Sequence, residues 1–230
     1  MRMTTVLIKP LQNAWRFATA LRGMTQWRTY NQADYAKYLA TTPDPWGYST
    51  WSSEETEQKI DTAIKLISDR NFERALEIGC AQGAFTGRLA PLCKELLAVD
   101  FVPMALARAR AHCRLRNVSY RLWDLAADPV PGLFDLIVIT DVLGSFGGRR
   151  DVCRARDKLA AALSPGGCLL YGDFIGDDLT QFIHESWPGQ LLLFRPGKIL
   201  KMLCAHSELV QITCQNTDRH LLALLQKCAR

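Results

Sequence analysis

Four carboxylates in this chain close short apolar runs, where a side chain can meet a ligand instead of the core. Glu77 lies in Ala75-Leu76-Glu77-Ile78, Asp100 follows Leu96-Leu97-Ala98-Val99, Asp124 follows Ser119 to Trp123, and Asp141 stands two positions after Leu136 to Ile139. Gly79-Cys80-Ala81-Gln82-Gly83 comes directly after the first run. Its glycines permit a tight turn and close backbone approach to a ligand, or a turn that only packs. It is not the G-x-G-x-x-G of nicotinamide enzymes, because position 81 is Ala and the third spacing fails. Asp100, 17 residues beyond Gly83, can accept two hydrogen bonds from the vicinal hydroxyls of a ribose. It can equally cap a helix that opens at Pro103. Asp124 can accept from the exocyclic amine of an adenine whose ring Trp123 or Leu125 lines, or it can serve a plain turn. Asp141 can hold an ammonium or a substrate amine, or act as a cap.

Candidate bases are few. His184, in Phe182-Ile183-His184-Glu185, falls in the loops after a fifth strand; a surface or packing histidine is the alternative reading. Asp141 is the other candidate, provided its environment raises its pKa. His112, His206 and His220 sit in helix or edge-strand patterns and read as structural.

These residues need a frame, and the periodicity supplies one. Glu54 to Ser68 carries Ile60, Ala63, Ile64 and Ile67 at helical spacing. Five apolar runs follow, ending with Cys168 to Tyr171, separated by helical stretches at 84–92, 103–115 and 152–163. Near-continuous apolar strands joined by helices specify a parallel sheet covered on both faces. Leu209 to Cys214 and Leu221 to Leu225 lie close enough to pair antiparallel at one edge. The expectation is a doubly wound, mostly parallel seven-stranded α/β sheet with an antiparallel edge strand and an N-terminal helical extension. Ligands of such sheets bind outside the carboxyl ends of the strands, where the four acids fall.

Composition narrows the function. The 230 residues are 48% hydrophobic and 22% charged, which supports a packed core. Of 28 basic residues, five (Arg2, Lys9, Arg16, Arg22 and Arg28) precede the first acid, leaving 23 basic against 23 acidic in the body. A neutral body argues against a nucleic-acid partner. No run reaches the roughly 18 apolar residues of a membrane span. Eight widely spaced cysteines without a C-x-x-C pair read as reduced, buried thiols of a cytoplasmic protein, with no metal. In residues 1–43, Leu7, Leu11, Trp15 and Ala18 share one helical face, which suggests a helical arm or lid over a domain spanning 44–230; an organellar targeting segment remains the other reading. Trp27, Tyr30, Tyr35, Tyr38, Trp46, Tyr48 and Trp51 form a cluster that packs in the core or walls a cleft.

Together the strand ends resemble the class I S-adenosylmethionine-dependent methyltransferases, which have a Rossmann-like fold. Residues 75–110 and the Asp44-Pro45-Trp46 segment are similar to nodulation protein S and its relatives, which N-methylate an aminosugar. The resemblance is dense over 75–110 and thin after 175. It implies that Glu77, Gly79, Cys80, Ala81 and Gly83 face the methionine moiety of S-adenosylmethionine, that Asp100 with Phe101 holds the ribose, and that Trp123, Asp124 and Leu125 hold the adenine. Trp46 closes over the cofactor, Asp141 faces it at the centre, and Asp141 and His184 lie near the acceptor. S-adenosylhomocysteine is the product.

Two departures stand out. The family has an Arg about eleven residues after that Trp, where this chain has Glu57, with Lys59 the nearest replacement. The family's Glu-Val-Leu-Tyr-Tyr reads Asp141-Val142-Leu143-Gly144-Ser145 here, which implies a different acceptor. The Asn/Asp-Pro-Pro-aromatic signature of base methylation is also absent after the fourth strand. The implied acceptor is a small molecule, an amine first, on a monomer or homodimer. O- or C-methylation, a non-catalytic adenosyl-binding protein and a nicotinamide-dependent oxidoreductase stay open as alternatives.

Overall fold

The computed structural model describes residues 33–41 (34 and 38 excepted), 53–146, 148–175 and 196–229. The elements are α1 (Ser53–Lys65), β1 (Phe72–Ile78), α2 (Ala84–Leu89), β2 (Cys93–Asp100), α3 (Pro103–His112), β3 (Val118–Leu122), β4 (Phe134–Thr140), α4 (Arg149–Ala162), β5 (Leu163–Phe174), α5 (Pro196–Cys204), β6 (Leu209–Asn216) and β7 (His220–Lys227). They form one seven-stranded sheet of order β3-β2-β1-β4-β5-β7-β6. Strands β1 to β5 pair parallel, and β7 runs antiparallel to both β5 and β6. The reversed strand therefore lies one place in from the edge, with β6 outermost.

Alternation along each strand decides which helices cover which face. Ala75, Leu96, Leu136, Val138, Leu170 and Leu222 pack with Ile60 and Ala63 of α1, with Ile67 in the turn after it, and with Phe85 and Leu89 of α2. On the other face Leu76, Val99, Ile137, Ile139 and Leu169 meet Val152 and Leu159 of α4 and Ile199 and Leu203 of α5. A fully buried Leu or Ile contributes about 1.5–3 kcal/mol, so these two layers hold the strands in register.

The helices end sooner than their periodicity suggests. α3 stops at His112 because Cys113 turns extended (φ −121°) and its carbonyl accepts from the Tyr120 hydroxyl at 2.9 Å. α5 went unread in the sequence, although Pro196 starts it and Ile199, Leu200 and Leu203 bury one face. All eight cysteines are free, but Cys214 is exposed, contrary to the expectation of burial. It lies on β6, an edge strand whose outer positions face solvent. The apolar run Leu191 to Phe194 lies outside the described residues, as does most of residues 1–43. Within 33–41, Leu39 is buried against Val102 and Ala105 of the α3 entrance, and the Tyr35 and Phe101 rings meet edge to face at 5.5 Å.

Candidate active site

The loop after β1 is tied down on both sides. Gly79 and Cys80 donate their N–H groups to Val99 O of β2 at 2.9 and 3.0 Å. Three residues take left-handed backbone: Gly79 at φ +80°, Ala81 at +47° and Gly83 at +85°. A Cβ on Gly79 would stand 2.5 Å from Val142 Cγ2, so the loop passes hard against the end of β4 and only glycine fits. Cys80 and Ala81 turn their side chains into the buried interior, and burial pushes the Cys80 thiol well above its ordinary range. The loop thus presents backbone, not thiol chemistry.

Asp100 closes β2 with 7% of its surface exposed. One carboxylate oxygen accepts from Ala81 N at 3.0 Å and the other from Val102 N at 2.9 Å. The first bond clamps the strained loop; the second stiffens the turn into α3. Its side chain caps no helix, since the N-cap of α3 is Val102. Burial raises Asp100 to about 6, although backbone N–H groups pull the other way. Glu77, also buried, accepts from Thr86 Oγ1 at 2.7 Å, and burial lifts it to about 7.

At the end of β3, Asp124 is half-buried and shapes a tight turn: its Oδ1 accepts from Ala126 N at 2.7 Å, and Ala127 and Asp128 donate to its carbonyl. Trp123, expected to line a ring, is instead buried in the core, with its indole N–H held by Pro129 O at 2.8 Å. It packs on the α4 face of the sheet. Leu125 is buried too, but with Val130 and Phe146 it lines a cavity of about 420 Å³ beside this turn, whose other side carries Asp151, Arg154, Asp157 and Lys158 of α4.

Asp141 follows β4 in left-handed backbone (φ +56°), with its N–H on Gly172 O at 3.0 Å. Its side chain keeps 35% of its surface exposed. Lys59 of α1, only 5% exposed, reaches Asp141 Oδ2 at 2.7 Å. His220, the first residue of β7, places Nε2 at 3.7 Å from Asp141 Oδ1. Burial alone would raise the Asp141 carboxyl, yet the charges of Lys59 and His220 and the Lys59 hydrogen bond hold it below its ordinary value. This corrects the expectation for a base at this position: an ion-paired carboxylate has little appetite for a proton.

Two groups absent from the sequence reading of the site complete this end of the sheet. His220 reads as structural in the sequence but faces Asp141, because β7 runs backwards and so begins where its neighbours end. Asp173 of β5 is buried beneath the turn after β4, accepting from Gly144 N at 2.9 Å and from the Tyr171 hydroxyl at 3.3 Å. Burial first, and the nearby Asp141 charge second, push it to about 7. The strand-end rule that singled out the other acids finds Asp173 as well, since it follows the run Cys168 to Tyr171 by two positions. Trp46 and His184 lie outside the described residues. No group of three or more His, Cys, Asp or Glu side chains among the described residues could hold a metal ion.

A sheet of this order, with a glycine turn after β1 and acids at the ends of β2, β3 and β4, defines a class I S-adenosylmethionine-dependent methyltransferase. The chain belongs to the nodulation protein S (NodS) family, whose sequence profile matches residues 31–187. Nodulation protein S of Sinorhizobium fredii is 34% identical over 147 residues, covering 62% of this chain and 66% of that protein. The Rhizobium tropici protein of the same name is 34% identical over 130 residues, covering 56% of this chain and 54% of its own length. These alignments thus span between about half and two thirds of the relatives. Among solved structures, the N-methyltransferase NodS of Bradyrhizobium japonicum in complex with S-adenosyl-L-homocysteine superposes with a TM-score of 0.71 at 27% identity, over 85% of this chain and 97% of that one. The strands β6 and β7, and with them His220, lie beyond the matched family segment.

Proposed function

We propose that this chain transfers the methyl group of S-adenosylmethionine to the nitrogen of a small amine acceptor, with S-adenosylhomocysteine as the second product. The observation that carries this reading is the Asp100 clamp: a nearly buried carboxylate fastened to a glycine-bounded turn in which Cys80 and Ala81 are buried. Residues and donor fit. Spare lone pairs on Asp100 suit the ribose hydroxyls, the Gly79–Gly83 backbone leaves room for the methionine chain, and the cavity beside Asp124, with an apolar wall of Leu125, Val130 and Phe146 and a charged rim from α4, suits a flat adenine. Lys59 complements the carboxylate of the donor's α-amino acid. Lys59 thereby takes the place of the family's arginine, two residues beyond Glu57.

The bound donor supplies an activated sulfonium methyl group. The protein's own work is alignment and exclusion of water, and such positioning is worth roughly 7–11 kcal/mol. Loop, clamp and Lys59 fix the donor's end of the crevice, while Asp141, Asp173 and His220 border the acceptor's end. The segment before residue 44 belongs to the same reading as a lid, supported by Tyr35 and Leu39 resting on Phe101, Val102 and Ala105. Eight free cysteines suit a reducing cytoplasm. Among the described residues no helix is long and apolar enough to cross a membrane.

Calorimetry with S-adenosylmethionine and S-adenosylhomocysteine tests the donor side, with saturable one-to-one binding expected. Turnover of methyl-labelled donor on a panel of primary amines, alcohols and phenols tests the acceptor. Absence of binding overturns the reading as a whole, and transfer confined to oxygen acceptors overturns the amine assignment.

A further inference from the structure

We propose that His220 takes the proton an ammonium acceptor must lose before it can be methylated, with Asp141 as the carboxylate that orients the ring. This rests on the reading above, in which Lys59 turns to the donor's carboxylate. His220 stands in register with Phe174 at the top of β5, and the two rings meet edge to face at 5.5 Å. Its Nε2 is 3.7 Å from Asp141 Oδ1, while Lys59 Nζ holds the other oxygen at 2.7 Å. One carboxylate therefore stands between a cation and an imidazole. At 3.7 Å the carboxylate acts on the ring through its charge, which favours hydrogen on Nε2, the nitrogen nearest to it, and leaves the lone pair on Nδ1.

The surroundings make the ring responsive. Lys59 acts on it from α1 and Asp141 from the end of β4, and Asp173 of β5 acts in turn on Asp141. Arg219 precedes it in the turn that enters β7, paired with Glu55 of α1 at 3.2 Å. Burial lowers His220 to about 4; the Asp141 charge opposes this, and the cations Lys59 and Arg219 reinforce it. Drawing Lys59 toward a ligand carboxylate removes one of those cations and frees Asp141 for the imidazole. Both changes strengthen the ring's hold on a proton, so donor binding itself readies the acceptor side.

The chemistry balances. An alkyl ammonium gives one N–H proton to Nδ1 and keeps the electron pair. That pair forms the new C–N bond as the C–S pair returns to sulfur, leaving a neutral thioether and a methylated ammonium. The imidazolium then loses its proton to water.

The test is a proton-NMR titration of the His220 ring signals, assigned with His220→Asn, in the full chain with and without S-adenosylhomocysteine. The expected midpoint lies near 4 in the free protein and rises by about 1–3 pH units with ligand bound, the range an opposite charge at close range produces. In turnover on the fastest amine of the panel, His220→Asn loses about 100-fold or more in kcat at neutral pH, and the loss shrinks above the amine's own pKa. Ligand binding is expected to stay within threefold of wild type, within about 0.7 kcal/mol. A midpoint that ignores bound ligand, or a kcat loss independent of pH, overturns the proposal and leaves the methyl-donor reading standing. Absence of S-adenosylhomocysteine binding overturns both.

Discussion

Asp100→Asn isolates the clamp, because Asn matches the volume of Asp and changes only charge and one acceptor. In the free protein the step from an ordinary 3.8 to about 6 corresponds to about 3 kcal/mol at 1.36 kcal/mol per pH unit. The sign follows from linkage. A carboxyl that holds its proton more tightly when folded stabilises the fold below about pH 4, and that contribution is lost as pH rises through about 6. Asn escapes this loss, but it can accept from only one of Ala81 N and Val102 N, which returns about 1–3 kcal/mol. At pH 7.5 the free variant is therefore expected to be as stable as wild type or up to about 2 kcal/mol more stable. Its fall in stability between pH 4 and pH 7.5, read by urea denaturation, should be about 2–3 kcal/mol smaller. Asp173, raised to about 7, slopes the same way in both proteins and cancels, while Glu77, raised to about 7 in part by the Asp100 charge, slopes less in the variant and adds to the same difference. S-adenosylhomocysteine, by contrast, loses a charged partner for its ribose, and calorimetry should show about 1.5–3 kcal/mol weaker binding. Equal pH slopes would refute the burial argument, and unchanged affinity would refute the ribose role.

Other outcomes follow from the same geometry. Gly79→Ala meets Val142 Cγ2 at 2.5 Å in left-handed backbone, so it should cost about 2–4 kcal/mol in urea denaturation; adding Val142→Ala should recover the steric part only. Asp141→Asn leaves the Lys59 cation buried without its carboxylate and is expected to lower stability by about 1–3 kcal/mol, less than a fully enclosed pair because Asp141 is itself partly exposed. Lys59→Met removes the buried cation as well, so thermal unfolding should show a smaller penalty, while calorimetry shows S-adenosylhomocysteine affinity falling about tenfold. Deleting residues 1–40 removes Tyr35 and Leu39 from Phe101, Val102 and Ala105; the sheet should still unfold cooperatively, and ligand retention should drop. Full retention in a dialysis assay would sink the lid.

Much of the frame is readable from local pattern. The strand at Leu136 to Ile139, buried on both faces, shows as an unbroken apolar run, and the acids at Asp100, Asp124 and Asp141 mark where such runs reach solvent at one end of the sheet. Those signals survive in one dimension because burial acts residue by residue along a period of two or 3.6. The identity of a charge's partner does not. Lys59 and Asp141 are 82 positions apart and meet only because β4 lies beside β1 under α1. His220 joins them because β7 runs against its neighbours. A carboxylate's proton affinity then depends on which charges and how much water surround it, which turned Asp141 from the expected base into an ion-paired acid and Trp123 from a ring wall into core. The chain's pattern alone settled what kind of sheet it builds and which edge carries chemistry. Folding decided which groups there are charged, because electrostatic energy depends on distance and solvent access, and neither is written in the order of residues.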